Sequence, residues 1–501
     1  MTQVDEHFAK IASAYRDART TDLEPILYIK DAVILAAGAG IRMSGRAAGK
    51  QHKSLTNLMG MAVIERGIRA MRDSGIERVI IVTGHGADRL RERLGNGRDR
   101  GVKIEYVHSA DWERGNGASL YAVRHRIRGE RFVLAMSDHW YEPALMKRLV
   151  TAAESTGGSL LCVDREPENL HDPDDATRVR RSVSGNVVEI GKSLDHFDAV
   201  DCGVFVLSNK IFSSLERAFA DGDYSLTAGT RYLTEDFGLG TVDVTGLLWE
   251  DIDTKGARVV ADHKVRRSLI TGDDGLVSHH LNRRISIQLS RLAVRLRMTP
   301  NMVSVIAFSL AVMAGISFGF GALIPGALMA QLSSIIDGSD GEVARTRFMS
   351  SNWGGFLDSM LDRLADSVIY IGIGVYLIND SGSALTLGIV FIALAGAPFS
   401  MMLKDRYRIV TGNPWRSAEA DGLSRYMLAT RDGRLFLVMI GGLTGQLLIT
   451  TAFTAVTTMA LLGWRMVLVW RELRSTRTVA PAIRGSEMAV PFVGSEETAG
   501  D

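Results

Sequence analysis

Cysteine is nearly absent from this chain. Cys162 and Cys202 are the only two in 501 residues. Two cysteines 40 positions apart exclude a disulfide framework and a cysteine-rich zinc centre, and they suit a reducing compartment. An excess of charge of either sign is also missing: 58 lysines and arginines face 57 acids, for a net +1. Bulk electrostatics therefore give no reason to expect a nucleic-acid partner. The amino-terminal residues lack the apolar core of a signal peptide, so the first domain is expected to stay in the cytoplasm. Long stretches of the second half lack charge altogether. Mean hydropathy is only slightly positive because a soluble first half is averaged with an apolar second half. At this length several domains are expected.

In the first half, residues 1–28 form an amphipathic lead-in with no assignable chemistry. An apolar run from Ala32 through Leu35, Ala36 and Ala37 ends in glycines, as a buried parallel strand does. The turn continues through Gly38, Gly40 and Arg42, with Lys53 and Leu55 downstream. Glycines let backbone N–H groups approach a phosphate, and Arg42 and Lys53 can offset charge developing on it. The turn has neither GxGxxG nor GK[ST] spacing, so the dinucleotide and P-loop fingerprints are excluded. A second strand from Arg78 ends at Gly84, with helical patterns on either side giving βαβ alternation. Asn116 and Gly117 sit in a glycine-bearing loop that opens a helix. Asp138 follows a further apolar strand, at the carboxyl end where open α/β sheets bind ligands. Asp253 follows Trp249-Glu250-Asp251-Ile252. His139 is expected to be a packed neighbour without chemistry.

The combination L-A-A-G-x-G-x-R with lysine and leucine downstream resembles the sugar-phosphate nucleotidyltransferases. That resemblance implies a doubly wound α/β domain, here over 29–265. It also implies nucleotide contacts from Leu35, Ala36, Ala37, Gly38, Gly40, Gly84, Asn116 and Gly117, catalysis by Arg42 and Lys53, and a cation held by Asp138 and Asp253. His52 stands where the family has proline. Lys50 is the rival to Lys53, and the K-x-L spacing favours Lys53. Asp201-Cys202-Gly203 matches the family's strand beneath the sugar.

A charged linker and a basic helix cover 266–300. Asn282–Met298 holds five arginines and no acid, with Ile285, Leu289, Leu292 and Leu296 spaced for one helix face. Such a helix lies flat on an anionic bilayer surface. From Met302 to Ile336 no charge occurs in 35 positions, enough for two spans broken near Gly319, Gly321 and Pro325. Further spans are expected over Gly355–Ile378, Ser381–Leu403 and, as a pair, from Leu435 to Trp470. An all-α polytopic membrane domain of about six transmembrane helices, 301–472, thus precedes a flexible tail, 473–501. Six spans with basic flanks at both ends put the termini on the cytoplasmic side of the cell membrane.

Asp337, Asp340, Asp358 and Asp362 interrupt these apolar runs. Acids at membrane depth persist where they face a cation or a polar cavity. If both segments are helical, each pair shares a face. With Gly341, Ala344, Arg345 and Gly354 they spell D-x2-D-G-x2-A-R-x8-G-x3-D-x3-D, which resembles the signature of the CDP-alcohol phosphotransferases. The resemblance implies metal binding by the four aspartates, Asp362 as base, and cytidine binding along Gly341, Ala344, Arg345 and Gly354. Lys404, Arg406, Arg425, Arg431 and Arg434 are candidates for an acceptor phosphate. Fusion of the two families resembles the bifunctional inositol-1-phosphate cytidylyltransferase/CDP-inositol:inositol-1-phosphate transferase family. It implies CTP, inositol 1-phosphate and CDP-inositol as substrates, Mg²⁺ (or Mn²⁺) as cofactor, and a homodimer formed through the membrane domain. A lipid donor or acceptor is the rival reading of the second half; a nucleotide sensor on a membrane anchor would require idle acids.

Overall fold

The computed structural model describes residues 28–38, 52–166, 168, 170–269, 277–415, 421 and 428–476. Gly40, Arg42, Lys50 and Arg425 lie outside the described residues. The chain divides into two compact units. The first holds Met1–Thr271 together with Ile287–Pro300 and Ser339–Ser351; the second holds Gly272–Ser286, Asn301–Gly338 and Asn352–Asp501.

The strands of the first unit are β1 (Asp31–Ala36), β2 (Asn57–Leu58), β3 (Met61–Ala62), β4 (Arg78–Thr83), β5 (Lys103–His108), β6 (Arg131–Met136), β7 (His139–Tyr141), β8 (Ser159–Asp164), β9 (Arg178–Arg181), β10 (Val187–Gly191), β11 (Ala199–Ser208), β12 (Leu239–Asp243) and β13 (Trp249–Asp251). Its helices are α1 (Val63–Asp73), α2 (Ala87–Leu94), α3 (Asn116–Tyr121), α4 (Pro143–Glu154), α5 (Lys210–Ala220), α6 (Leu226–Phe237) and α7 (Lys255–Ser268). Nine strands form one mixed sheet in the order β10-β9-β11-β6-β1-β4-β5, with β8 on β11 and β12 on β8. The β6-β1-β4-β5 block is parallel, and β11 joins it antiparallel. Side chains of β1 alternate between two cores: Ala32, Ile34 and Ala36 enter one, Val33 and Leu35 the other. Burial on both faces is what a continuous apolar run encodes. The doubly wound expectation holds for the parallel block, which brings the carboxyl ends of β1, β4 and β6 to one edge.

One buried ion pair braces the opposite edge. Arg78 donates from Nε to Asp31 at 2.9 Å and from Nη2 to the other carboxylate oxygen. Burial by itself would raise the Asp31 pKa. The Arg78 and Arg128 contacts overcome it and hold the group below its ordinary 3.8. The pair's stabilisation is therefore present above the unfolded carboxylate range and is lost as pH falls below about 4. Arg78→Leu would leave Asp31 charged at neutral pH with only the Arg128 contacts, costing about 3–5 kcal/mol. The expected result is a melting midpoint lower by roughly 6–20 °C in tryptophan fluorescence of the purified chain.

A basic helix, α8 (Arg283–Arg295), precedes the apolar segment. Ile285, Leu292 and Leu296 are exposed, whereas Ser286, Ser290 and Ala293 are buried. Leu289 is half-buried, so the apolar stripe is narrower than the sequence spacing suggests. The helices that follow are α9 (Pro300–Gly319), α10 (Leu323–Arg347), α11 (Asn352–Ser381), α12 (Ala384–Thr411), α13 (Arg431–Thr444) and α14 (Leu447–Thr476). The first break falls between Gly319 and Leu323, around Gly321 at φ 76°. Among the described residues, three helices are long and apolar enough to cross a membrane: Pro300–Gly319, Ala384–Thr411 and Leu447–Arg474. Three of the six expected spans meet this measure, and the rest fall short of it for physical reasons. Helices α10 and α11 carry the aspartates that lower their hydropathy. Helix α13 has 14 residues, about 21 Å at 1.5 Å per residue, against a hydrocarbon core of about 30 Å.

Candidate active sites

The first site gathers at the carboxyl edge of the parallel strands. Leu35, Ala36 and Ala37 are buried where β1 ends, and Gly38 is exposed beyond them. Gly84 follows β4 against the Ala37 carbonyl and the Trp112 ring. A Cβ there would approach Trp112 Cγ to 2.5 Å and Ala37 O to 2.8 Å, so only glycine fits. Asn116 lines a cavity of about 350 Å³ with Asp138, Lys192, Asp201, Thr227 and Asp253. Gly117 instead donates its N–H to the Tyr224 carbonyl at 3.0 Å, a packing contact.

Asp138 leaves β6 at the cavity floor. Lys53 Nζ donates to Asp138 Oδ2 at 2.6 Å and forms an ion pair with Asp253. Burial would raise the Asp138 pKa, but Lys53 and His139 hold it below its ordinary value. The sequence reading missed Asp251 and set His139 aside. Strand β7 pairs antiparallel with β13 and sets His139 opposite Asp251. His139 Nε2 lies 3.5 Å from Asp251 Oδ2 and 3.9 Å from Asp138 Oδ1, and Nδ1 lies 2.9 Å from the Cys202 carbonyl. Burial disfavours a proton on this ring, yet the Asp251 and Asp138 carboxylates prevail and push its pKa up to about 10. Burial also pushes the Asp201 carboxyl up to about 6, against the Gly203 N–H that favours its charged form. Three acids, Glu250, Asp251 and Asp253, crowd this segment, and only the β7–β13 ribbon reveals that Asp251 turns toward Asp138.

The second site lies within the helical unit. Donor oxygens of Asp337 on α10 and of Asp358 and Asp362 on α11 all stand within 4.8 Å of one another. Asp340, one turn further along α10, is buried and is not in that group. At about 4 Å and an effective dielectric of about 20, each carboxylate pair repels by about 4 kcal/mol. Arg431, the first residue of α13, offsets part of this: it pairs with Asp337, with Asp362 at 2.9 Å and with Asp366 at 3.3 Å. Arg434 holds Asp366 at 2.6 Å. Asp366, a third acid on the 358/362 face, was not anticipated, though its spacing of four extends the motif. Asp337, Asp362, Lys404, Arg431, Arg434 and Arg465 line a cavity of about 400 Å³. Of the basic candidates, Arg406 is exposed and not part of this lining. Arg345 donates to the Leu269 carbonyl at 2.7 Å, and Gly341, Ala344 and Gly354 are half-buried.

Both clusters offer hard oxygen donors, a suitable set for a divalent cation. In the first, Asp251 Oδ1 is a buried oxygen without a hydrogen-bond partner. In the second, Arg431 and Arg434 leave the carboxylates in excess. Each donor set therefore fits a divalent cation.

Residues 32–229 match the MobA-like NTP transferase domain, and residues 297–470 match the CDP-alcohol phosphatidyltransferase family. A protein of Rubrobacter xylanophilus described as a bifunctional IPC transferase and DIPP synthase is 35% identical over 431 residues, covering 86% of this chain and 93% of that one. A protein of Thermococcus kodakarensis with the same description is 34% identical over 82% of this chain and 89% of its own. The solved inositol-1-phosphate CTP transferase from T. maritima aligns with a TM-score of 0.42 and 26% identity, over 47% of this chain and 95% of that one. Identity sustained across both halves decides the assignment: the chain belongs to the family of bifunctional IPC transferases and DIPP synthases, a nucleotidyltransferase joined to a CDP-alcohol phosphotransferase.

Proposed function

We propose that the first unit converts CTP and inositol 1-phosphate to CDP-inositol and pyrophosphate. The second unit then transfers the inositol phosphate group to a further inositol 1-phosphate and releases CMP. The observation that carries this reading is the presence in one chain of two separate carboxylate clusters, one at a strand edge beside Lys53 and one between two apolar helices. Mg²⁺ at both would neutralise phosphate charge and hold the reacting oxygens in line. Asp138, Asp251 and Asp253 would hold it in the first unit; Asp337, Asp358 and Asp362 in the second, with Asp340 added by the family signature. Arg42 and Lys53 stabilise charge on the phosphates of CTP. Leu35 to Gly38, Gly40, Gly84 and Asn116 present backbone and small side chains to the nucleotide, while Gly117 acts through packing. Asp362 takes the proton of the attacking hydroxyl. Gly341, Ala344, Arg345 and Gly354 lie along the cytidine, and Lys404 supplies charge for the acceptor's phosphate.

The nucleotidyltransferase unit faces the cytoplasm from the cell membrane, and the membrane helices form a homodimer. The test supplies membranes carrying the protein with CTP, Mg²⁺ and labelled inositol 1-phosphate, then separates soluble from lipid products. A CDP-linked intermediate followed by a soluble di-inositol species is expected. Label in the lipid fraction would move the second unit to phospholipid synthesis, and no CTP turnover would reject inositol 1-phosphate as substrate.

A further inference from the structure

We propose that His139 is a metal ligand through Nε2, adding a nitrogen to the aspartate oxygens that hold the cation of the nucleotidyltransferase unit. The inference deepens the reading that this unit transfers a nucleotidyl group with a divalent cation.

Ring orientation is the first argument. A carbonyl only accepts, so the 2.9 Å contact to Cys202 O places the hydrogen on Nδ1. Without metal the two carboxylates favour a proton on Nε2; a cation taking that proton's place would meet the Nε2 lone pair directed toward Asp251 and Asp138. A backbone carbonyl on the far nitrogen is the usual brace of a ligating histidine. Distance is the second argument. Nε2 stands 3.5 and 3.9 Å from the two carboxylate oxygens, long for hydrogen bonds. Atoms bound about 2.0–2.2 Å from a shared ion lie roughly 3–4.3 Å apart, which brackets both separations. The third argument is the buried Asp251 Oδ1, which has no hydrogen-bond partner and faces only the Lys53 ammonium at 3.9 Å, the charge that a cation would displace.

The ring is also held from behind. Gly203 adopts φ +73°, and a Cβ built there would come within 2.3 Å of His139 Nδ1. Any side chain at position 203 would push the imidazole out of line. The cross-strand register of β7 and β13 fixes the Asp251 side of the site. Lys53, now bridging Asp138 and Asp253, is the residue that the ion would release toward phosphate. An imidazole among carboxylates shifts preference from Mg²⁺ toward Mn²⁺ and the later first-row ions.

The test uses the full chain, free of any polyhistidine tag, carrying Asp337→Asn and Asp358→Asn to disable the membrane cluster. Mn²⁺ is titrated by electron paramagnetic resonance, and electron spin-echo modulation reports nitrogen bound to it. Expected are one bound Mn²⁺ with ¹⁴N modulation, loss of that modulation in His139→Gln with affinity about tenfold weaker or more, and loss of binding in Asp138→Asn. Bound Mn²⁺ without ¹⁴N coupling would overturn the proposal, leaving His139 as a charged partner of the two acids. Failure to bind Mn²⁺, or coupling that survives His139→Gln, would overturn it as well. The first spectrum needs no substitution in this unit, so misfolding of the His139 variant does not blur the outcome. Pyrophosphate release from CTP is measured on the same samples. Nitrogen-coupled Mn²⁺ without CTP turnover would sink the functional reading alone; turnover with nitrogen-free Mn²⁺ would sink the ligand assignment alone.

Discussion

Asp362→Asn should cut transfer from supplied CDP-inositol on the order of 10³-fold and leave CTP-dependent pyrophosphate release unchanged. The amide retains the shape of the carboxylate but cannot take a proton, and general-base catalysis contributes about 10²–10⁴. Asp362 sits among Asp337, Asp358 and Arg431, and the substitution removes one of the repelling charges. A merely structural acid would therefore tolerate or welcome the change. Chromatography of labelled products, with a separate pyrophosphate assay, reads both activities on one preparation. Transfer at the wild-type rate would refute Asp362 as the base.

Lys53→Ala should do the reverse. Its ammonium is the cation in contact with Asp138 and Asp253, and no other described lysine or arginine forms an ion pair with either. Removing one preorganised charge from a phosphoryl-transfer site costs about 10²–10³ in rate. Pyrophosphate release should fall by that factor while transfer from supplied CDP-inositol holds. Loss of both activities in either variant would undo the division of labour between the units.

Much of this was legible because it is local. The run into Gly38 read as a buried strand, Gly84 as its neighbour's turn, and the aspartates of α10 and α11 as two helix faces. What stayed hidden depends on pairings over long separations. Asp251 and His139 meet only through a ribbon of three residues per strand, too short to show a period of two. Arg431 was noticed as one basic residue among several, but nothing in its neighbourhood announces acids 94 and 65 positions earlier. Asp366 was within reach, four residues past Asp362, and the motif ended too soon to include it. The count of six spans reads charge-free length directly as membrane crossing, and by length and composition three of the described helices meet it. Helix α13 shows that such a stretch can begin with a short helix ended at Gly445.

The Arg431 and Arg434 pairing bears on how the chain is made. If α11 crosses the bilayer, as the sequence pattern over Gly355–Ile378 implies, Asp366 lies near its middle, where each aspartate disfavours insertion by about 2.5–3.5 kcal/mol. Its arginine partners are synthesised 65 and 68 residues later. At 5–20 residues per second that is a delay of roughly 3–14 s. During that interval α11 must be held by the insertion machinery, by a proton on its acids or by an early cation. Nascent chains arrested before residue 431 should therefore leave α11 more accessible to the aqueous phase than chains arrested after α13 has emerged.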